Sequence, residues 1–167
     1  MLRMKTVVVA VSLIVLAAVS GPAQSRAGAA FDRLKTLAGE WEGKSTDGQP
    51  VRVSYRLLSA DTVLLETIKH VGEAEMITAY HRDGDSVLMT HYCTADNQPR
   101  MRARASAAGA GQIDFTLVDV SNLSKPAAGH MRRLVLTFAD ADHLDQKWTW
   151  TERGKDTVEE FRLSRIQ

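Results

Sequence analysis

Apolar and polar residues alternate along most of the chain that follows Gly39. A period of two is typical of β-strands that bury one face, and residues that favour hairpin turns interrupt it at short intervals. Phe31, Leu34 and Ala38 have helical spacing instead, and they predict a short helix over Phe31–Ala38. The alternating segments predict ten strands: Glu40–Thr46, Val51–Leu58, Thr62–His70, Ala74–Arg82, Ser86–Cys93, Pro99–Ala107, Gln112–Val120, Met131–Ala139, His143–Glu152 and Asp156–Arg165.

The connections between these segments predict the architecture. Nearly all of them are short hairpin loops, and the one long connection is Ser121–His130. Antiparallel strands joined in order form a meander, and a long meander closes into a barrel because closure removes the exposed edges. We therefore predict an all-β fold, an up-and-down antiparallel β-barrel of about ten strands with a short N-terminal helix. A β-sandwich is the alternative, although it usually needs Greek-key crossovers.

The start of the chain has the pattern of a secretory signal peptide. Arg3 and Lys5 precede the apolar run Thr6–Val19, and small residues follow Gly21 and Pro22. The run is shorter than the roughly 20 residues of a membrane span, so a retained anchor is the less favoured interpretation.

Two cleavage points fit this pattern, after Ser25 or after Ala29. We predict that residues 1–29 are a signal peptide, that residues 30–167 form the barrel domain, and that the protein is periplasmic or secreted.

Charge and cysteine content narrow the function classes. The formal net charge is +1, without the basic surplus that is typical of nucleic-acid-binding proteins. Export would permit disulfides, but the chain has one cysteine, Cys93, and one cysteine cannot pair within the chain. The histidines lack the spacing of metal ligands. We therefore expect no nucleic-acid partner, no metal, no cofactor, no catalytic residue and no stable membrane span after cleavage.

Loop lengths predict which side chains share the barrel interior, because a slip of one residue exchanges the two faces of a strand. A three-residue loop at 140–142 places Leu134 opposite Trp148 and Arg132 opposite Trp150. Two-residue turns at 83–84 and 154–155 place Met76 opposite His91 and Phe161 opposite Trp148. The face of Glu66 stays open. Seven residues are predicted to line one ligand cavity: Tyr80, Met89, His91, Met101, Arg132, Trp148 and Trp150.

The motif Phe31-x-x-Leu34-x-x-Leu37-Ala38-Gly39-Glu40-Trp41 resembles the start of the calycin superfamily, which includes lipocalins, fatty-acid-binding proteins and nitrobindin-like barrels. In those barrels a short helix leads into a Gly-x-Trp on the first strand, and an Arg on the last strand packs over that Trp. The resemblance implies a structural signature made of Gly39, Trp41 and Arg165. The run from Tyr80 to Met101 resembles an uncharacterised family of exported bacterial barrel proteins.

The calycin resemblance also implies binding of an apolar small molecule rather than catalysis. Nitrobindin-like proteins hold haem through a His near the C-terminus, and the last strand here has none. The Arg and Tyr that clamp a fatty-acid carboxylate are likewise not present in their usual form. The leading hypothesis is an exported barrel that binds an apolar or amphipathic small molecule.

Two alternatives stay open beside this hypothesis. One is a haem-binding or isomerase-type enzyme centred on His91, and the other is a structural barrel with a filled core. A core histidine that bonds a neighbour is the simpler interpretation of His91. Cys93 is read as a small buried hydrophobe. Arg132 is expected either to pair with Glu159 across Trp150 or to face an acidic group of the ligand.

Overall fold

The computed structural model describes residues 26–104 and 111–167. Most of the predicted signal peptide, residues 1–25, lies outside the described residues. The described chain forms one helix, α1 (Arg26–Lys35), and ten strands. The strands are β1 (Gly39–Lys44), β2 (Pro50–Leu58), β3 (Val63–His70), β4 (Met76–Asp83), β5 (Ser86–Tyr92), β6 (Gln98–Arg104), β7 (Gln112–Ser121), β8 (His130–Phe138), β9 (His143–Glu152) and β10 (Lys155–Arg165).

The strands form a closed barrel in which each strand pairs antiparallel with its neighbours in sequence, and β1 pairs with β10. The predicted fold class is therefore confirmed. Closure leaves no strand of this sheet with unpaired backbone groups along an edge. Because consecutive strands run in opposite directions, the connections that follow odd-numbered strands lie at one end of the barrel. Those that follow even-numbered strands lie at the other, together with α1.

Helix α1 closes the second of these ends, which we call the helix end. Phe31 and Leu34 lie on the apolar face of α1 and are buried in the barrel core together with Leu37. The guanidinium of Arg33 lies 4.5 Å from the ring centre of Phe138, at the end of β8. The helix begins at Arg26, earlier than the predicted Phe31, because buried Ala27 extends the same apolar face by one turn.

The C-terminal end of α1 is held by the last strand. Arg165 donates from Nη2 to the carbonyl of Thr36 at 2.8 Å and from Nη1 to that of Ala38 at 2.9 Å. Its guanidinium lies 4.2 Å from the ring centre of Trp41, whose Nε1 donates to the carbonyl of Leu37. Trp41 and Arg165 are also direct partners across the β1–β10 pair. The implied Trp–Arg contact is thus present, and Arg165 also satisfies backbone carbonyls of the segment that joins α1 to β1.

Gly39, the third member of the implied signature, occupies a place that other residues fit poorly. Its φ is +133°, outside the range that side chains adopt readily, and a Cβ there would come within 2.9 Å of Nη1 of Arg165.

The predicted faces are observed on most strands, but several predicted partners are shifted by two positions. Leu134 lies opposite Trp148, as expected. The β9–β10 turn consists of Arg153 and Gly154 rather than 154–155, so Glu159 and not Phe161 lies opposite Trp148. Both turn residues have positive φ, 50° and 72°, the geometry of a tight hairpin turn.

The β4–β5 turn differs from the prediction in the same way. It consists of residues 84 and 85, so Thr78 and not Met76 lies opposite His91. A shift of two residues changes partners but preserves faces, because side chains alternate with a period of two.

A β-bulge corrects the predicted placement of Arg132. The register of β8 against β9 shifts between Met131 and Arg133, so that Met131 lies opposite Trp150. The extra residue turns the Arg132 side chain outward, where it is half-exposed and pairs with Asp156 at 2.9 Å. Neither the predicted position opposite Trp150 nor the expected pair with Glu159 is found.

Candidate functional site

The end of the barrel opposite α1, which we call the open end, contains a cavity of about 450 Å³. Its walls come from the connections that follow β1, β3 and β5, from the end of β3, from the starts of β4 and β8, and from residues of β9 and β10. The lining residues are Asp47, Gln49, His70, Val71, Glu73, Met76, Cys93, Thr94, Ala95, Met131, Trp148, Trp150, Thr157, Val158 and Glu159.

Two tryptophans of β9 form the aromatic part of this cavity. Trp148 is fully buried and Trp150 is partly exposed. Trp148 therefore lies deeper in the cavity and Trp150 nearer to the solvent. The backbone of Gly129 packs directly on the ring of Trp150, where a Cβ would come within 1.9 Å of Cζ2. Gly129 is in turn fixed by a hydrogen bond from Nδ2 of Asn97 to its carbonyl, at 3.0 Å. The connection between β7 and β8 therefore positions Trp150.

The ionisable groups of the cavity are mostly acidic. Asp47, Glu73 and Glu159 contribute carboxyl groups, and His70 is the one group among the lining residues that can become cationic. Burial raises the pKa of Glu159, the nearby His70 lowers it, and the carboxylates of Asp47 and Glu73 raise it further. The pKa of Asp47 is lowered, first by a hydrogen bond from Ser45. The open end therefore carries negative charge.

Beneath the cavity lies a network of buried polar side chains centred on Glu66. Tyr55 donates to Oε1 of Glu66 at 2.7 Å, and Tyr80 donates to Oε2 at 2.8 Å. Gln146 donates from Nε2 to the same carboxyl at 2.6 Å and accepts from Nε1 of Trp148 at 2.9 Å. The network therefore ties the cavity floor at Trp148 to the centre of the barrel.

The Glu66 carboxyl faces inward, which answers the question that the sequence left open. Burial raises its pKa, while hydrogen bonds from Tyr55, Tyr80, Thr78 and Gln146 oppose that rise. Burial likewise raises the pKa of both tyrosine hydroxyls, so they act as donors. A buried polar network of this kind stabilises a fold when its members are satisfied.

His91 lies at the edge of this network and has one unsatisfied nitrogen. Its Nδ1 is 2.9 Å from Oγ1 of Thr78, and its ring centre is 4.7 Å from that of Trp148. Which of these two atoms donates is set by the tautomer of the His91 ring. The Nε2 atom has no partner among the described residues. Burial lowers the pKa of His91 to about 4, so the ring is neutral at neutral pH.

The structure separates the seven predicted cavity residues into three groups. Trp148 and Trp150 line the cavity. Tyr80, Met89, His91 and Met101 are fully buried below it, and Arg132 lies on the outer wall. A ligand contact at each of these residues stays a prediction. Haem ligation by His91 would require open space at Nε2, and His91 does not line the cavity.

Sequence reasoning missed two acidic residues of the open end, Asp47 and Glu73, and part of the buried network. Asp47 and Glu73 lie in hairpin connections that follow odd-numbered strands, and this shared parity was the signal that could have grouped them. Gln146 shares an inward face with Leu144 and Trp148, so its burial could be read from alternation. Glu66 and Tyr55 required the lengths of loops that the sequence left ambiguous.

Cys93 lines the cavity as a partly buried free thiol. Among the described residues, no three His, Cys, Asp or Glu side chains are grouped so as to hold a metal ion. The helix in the described part of the chain is too short to cross a membrane.

Comparison with known proteins supports the barrel fold. No family model matches the chain, and no curated protein matches its sequence. The chain is similar to the crystal structure of a protein of unknown function from the DUF3598 family of Nostoc punctiforme, with a TM-score of 0.55 and 13% identity. The match covers 80% of this chain and 49% of that one, so the chain spans about half the length of this neighbour.

A second solved structure, EF1p2_mFAP2b bound to DFHBI, has a TM-score of 0.35 and 9% identity. That match covers 86% of this chain and 100% of the other.

Proposed function

We propose that this protein is an exported, calycin-like barrel that binds an apolar or amphipathic small molecule at its open end. The observation that carries the proposal is the cavity of about 450 Å³ above Trp148. Small-molecule sites are concave, mostly apolar, and roughly 300–1,000 Å³ in volume, with a few polar groups that fix orientation. The cavity is concave and falls within this volume range, and its lining combines apolar side chains with polar ones. The helix end of the same barrel is instead filled by α1.

The apolar lining supports a ligand with a hydrophobic body. Met76 and Met131 flank the tryptophans, and methionine side chains adapt readily to the shape of a ligand. Val71 and Val158 lie at the rim with exposed fractions of 75% and 46%. Burial of these groups against a ligand would remove apolar surface from water, which favours binding.

The test begins with the protein purified from its native host and extracted for small molecules that co-purify with it. In parallel, the emission of Trp148 and Trp150 is followed while apolar and amphipathic probes are titrated. Met131→Trp should fill the cavity and abolish the response with little change in Tm, because cavity walls tolerate added volume better than packed cores.

Ile77→Trp is the matched control, because Ile77 lies on the outer wall opposite exposed Tyr92. This variant should bind like the wild type. If nothing co-purifies and a broad panel of probes fails to bind the wild type, the proposal is wrong and the barrel is a structural module.

A further inference from the structure

The carboxylates of the open end differ from those of the outer wall in their partners. On the outer wall, acidic side chains form ion pairs with basic ones, as in Arg100–Asp119, Arg102–Asp83, Arg132–Asp156, Arg133–Asp114 and Lys147–Glu160. In the part of the chain that the structure describes, no Lys or Arg pairs with Asp47, Glu73 or Glu159, and none lines the cavity. The charge at this end is therefore not neutralised by basic side chains.

One of these carboxylates lies next to the aromatic floor. Glu159 is the direct cross-strand partner of Trp148, and Thr157 is the partner of Trp150. Cross-strand partners on one face have Cβ atoms roughly 4.5–5.5 Å apart. The half-buried Glu159 carboxyl therefore adjoins the indole rings at the inner face of the wall.

A carboxylate beside two indole rings has the chemistry that recognises an organic cation. An ammonium group gains from the negative charge and from the electron-rich faces of tryptophan rings, and both attractions strengthen when water is excluded. An anionic ligand would meet three carboxylates, with His70 as the one lining residue able to offset them. The mutual repulsion of Asp47, Glu73 and Glu159, which contributes to the raised pKa of Glu159, is relieved by a cation.

We propose that the ligand of the open-end cavity is an amphipathic cation, with an amine or quaternary ammonium group at Glu159 and an apolar body against Trp148 and Trp150. This inference rests on the proposed function, since it names the ligand class for the same cavity. It differs from the sequence-based alternative in which Arg132 receives an acidic group of the ligand, because Arg132 lies outside the barrel and is paired with Asp156.

The test compares three probes that share one alkyl chain: decyltrimethylammonium, decanol and decanoate, each below its aggregation concentration. Binding to the wild-type protein is measured by calorimetry at low and at physiological salt. The ammonium probe should bind most tightly and decanoate most weakly. The advantage of the ammonium probe over decanol should shrink as salt is added, because the carboxylates at the cavity rim are partly exposed and are screened.

Charge-neutralising variants give the second arm of the test. Glu159→Gln should weaken the ammonium probe about fivefold, the change expected for one charge contact of ordinary strength. It should leave decanol binding unchanged. Glu73→Gln, in the exposed β3–β4 connection, should act in the same direction without disturbing the wall. Glu40→Gln makes the same charge change at the helix end and should have no effect.

The outcomes separate this inference from the proposed function. Equal binding of the ammonium probe and decanol would overturn the cationic ligand and leave the cavity as a binding site. Tighter binding of decanoate would overturn it as well. Failure of all three probes, together with a broader panel, would overturn the proposed function itself.

Discussion

The two ends of this barrel are built from the same ten strands and differ in what fills them. At the helix end, α1 inserts Phe31 and Leu34 into the barrel, and Arg165 ties the end of the helix to the last strand. At the open end no helix of the described residues covers the strands, and a cavity of about 450 Å³ reaches down to Trp148. Closure of a sheet into a barrel therefore pairs the backbone groups of its edge strands but does not fill its interior. Whether each end is filled depends on the residues that lie there.

The Glu66 network lies between these two regions and separates them chemically. Above it, the cavity is acidic and partly exposed. Below it, the interior is apolar and fully buried, with Leu64, Met89, Phe115, Leu134 and Leu136 inaccessible to solvent. We therefore expect the helix end to contribute most of the stability, whereas the open end holds the proposed ligand site.

The largest expected effect comes from truncating one residue at each end of the same strand. Leu136→Ala, toward the helix end of β8, should lower the free energy of unfolding by about 4 kcal/mol, because it leaves a cavity in a packed core. Met131→Ala, at the open end of β8, should lower it by less than about 1 kcal/mol, because its side chain already borders open space. Denaturant unfolding of both variants measures the difference. Similar losses in the two would remove the distinction between the ends.

The second largest loss of stability is expected at Arg165, which holds the segment after α1 against β10. Arg165 is 24% exposed, stacks on Trp41 and donates to three backbone carbonyls. Arg165→Ala should lower the free energy of unfolding by about 3 kcal/mol, from the lost cation–π contact and the unsatisfied carbonyls. Arg162→Ala, on the outer face of the same strand, should change stability little. Thermal melts compare the two, and equal shifts would contradict the role assigned to Arg165.

His91, at the edge of the Glu66 network, should contribute to the pH dependence of the free energy of unfolding. Folding lowers the pKa of His91 from its ordinary value of 6.5 to about 4. The unfolded chain therefore binds a proton more readily, so this contribution is complete above pH 6.5 and is lost as the pH falls toward 4. Acidification from pH 7 to pH 5 should remove about 2 kcal/mol through this residue.

His91→Gln should lack that component, which is measured as the difference between the unfolding curves of variant and wild type. The raised pKa of Glu66 acts in the opposite direction, since its stabilising contribution is present at low pH and is lost as the pH rises through its folded value. It remains in both proteins and cancels in the subtraction. A difference that does not change with pH would show that folding leaves the pKa of His91 unchanged.

The smallest effect concerns where the mature chain begins. Cleavage after Ser25 leaves α1 whole, whereas cleavage after Ala29 removes buried Ala27 and the first turn of the helix. We expect the mature N-terminus at Arg26, as measured by mass spectrometry of protein from the native host. A chain that begins at Ala30 should be less stable by about 1 kcal/mol, the value of a small buried side chain. An N-terminus at Ala30 would contradict this prediction.

Much of the barrel could be predicted from alternation and turn residues, because both are local properties of the chain. The faces of Leu134, Trp148 and Trp41 follow from a period of two, and this period survives an error of two residues in a turn. The cross-strand partner of a residue is harder to predict than its face. The two-residue shift at Arg153 and Gly154 depends on which pair of residues adopts positive φ, and the adjacent sequence Arg153-Gly154-Lys155 allows two choices.

The bulge at Arg132 and the position of Glu66 were beyond such local reasoning. A bulge inserts one residue into one strand, and nothing in Met131-Arg132-Arg133 marks which residue is the extra one. The face of Glu66 depends on its buried partners, which come from β2, β4 and β9 and meet only when the barrel closes. The cavity follows from the same closure, because its walls are drawn from loops far apart in sequence.

The location of the described chain ends has a practical consequence. Helix α1 and the residues after β10 lie together at the helix end, where the amide of Ile166 donates to the carbonyl of Glu40 at 2.8 Å. A sensor surface coupled through a tag beyond Ile166 would hold the barrel with its cavity facing the solution. Immobilised in this orientation, the protein would present the proposed binding site to analytes without obstruction from the support.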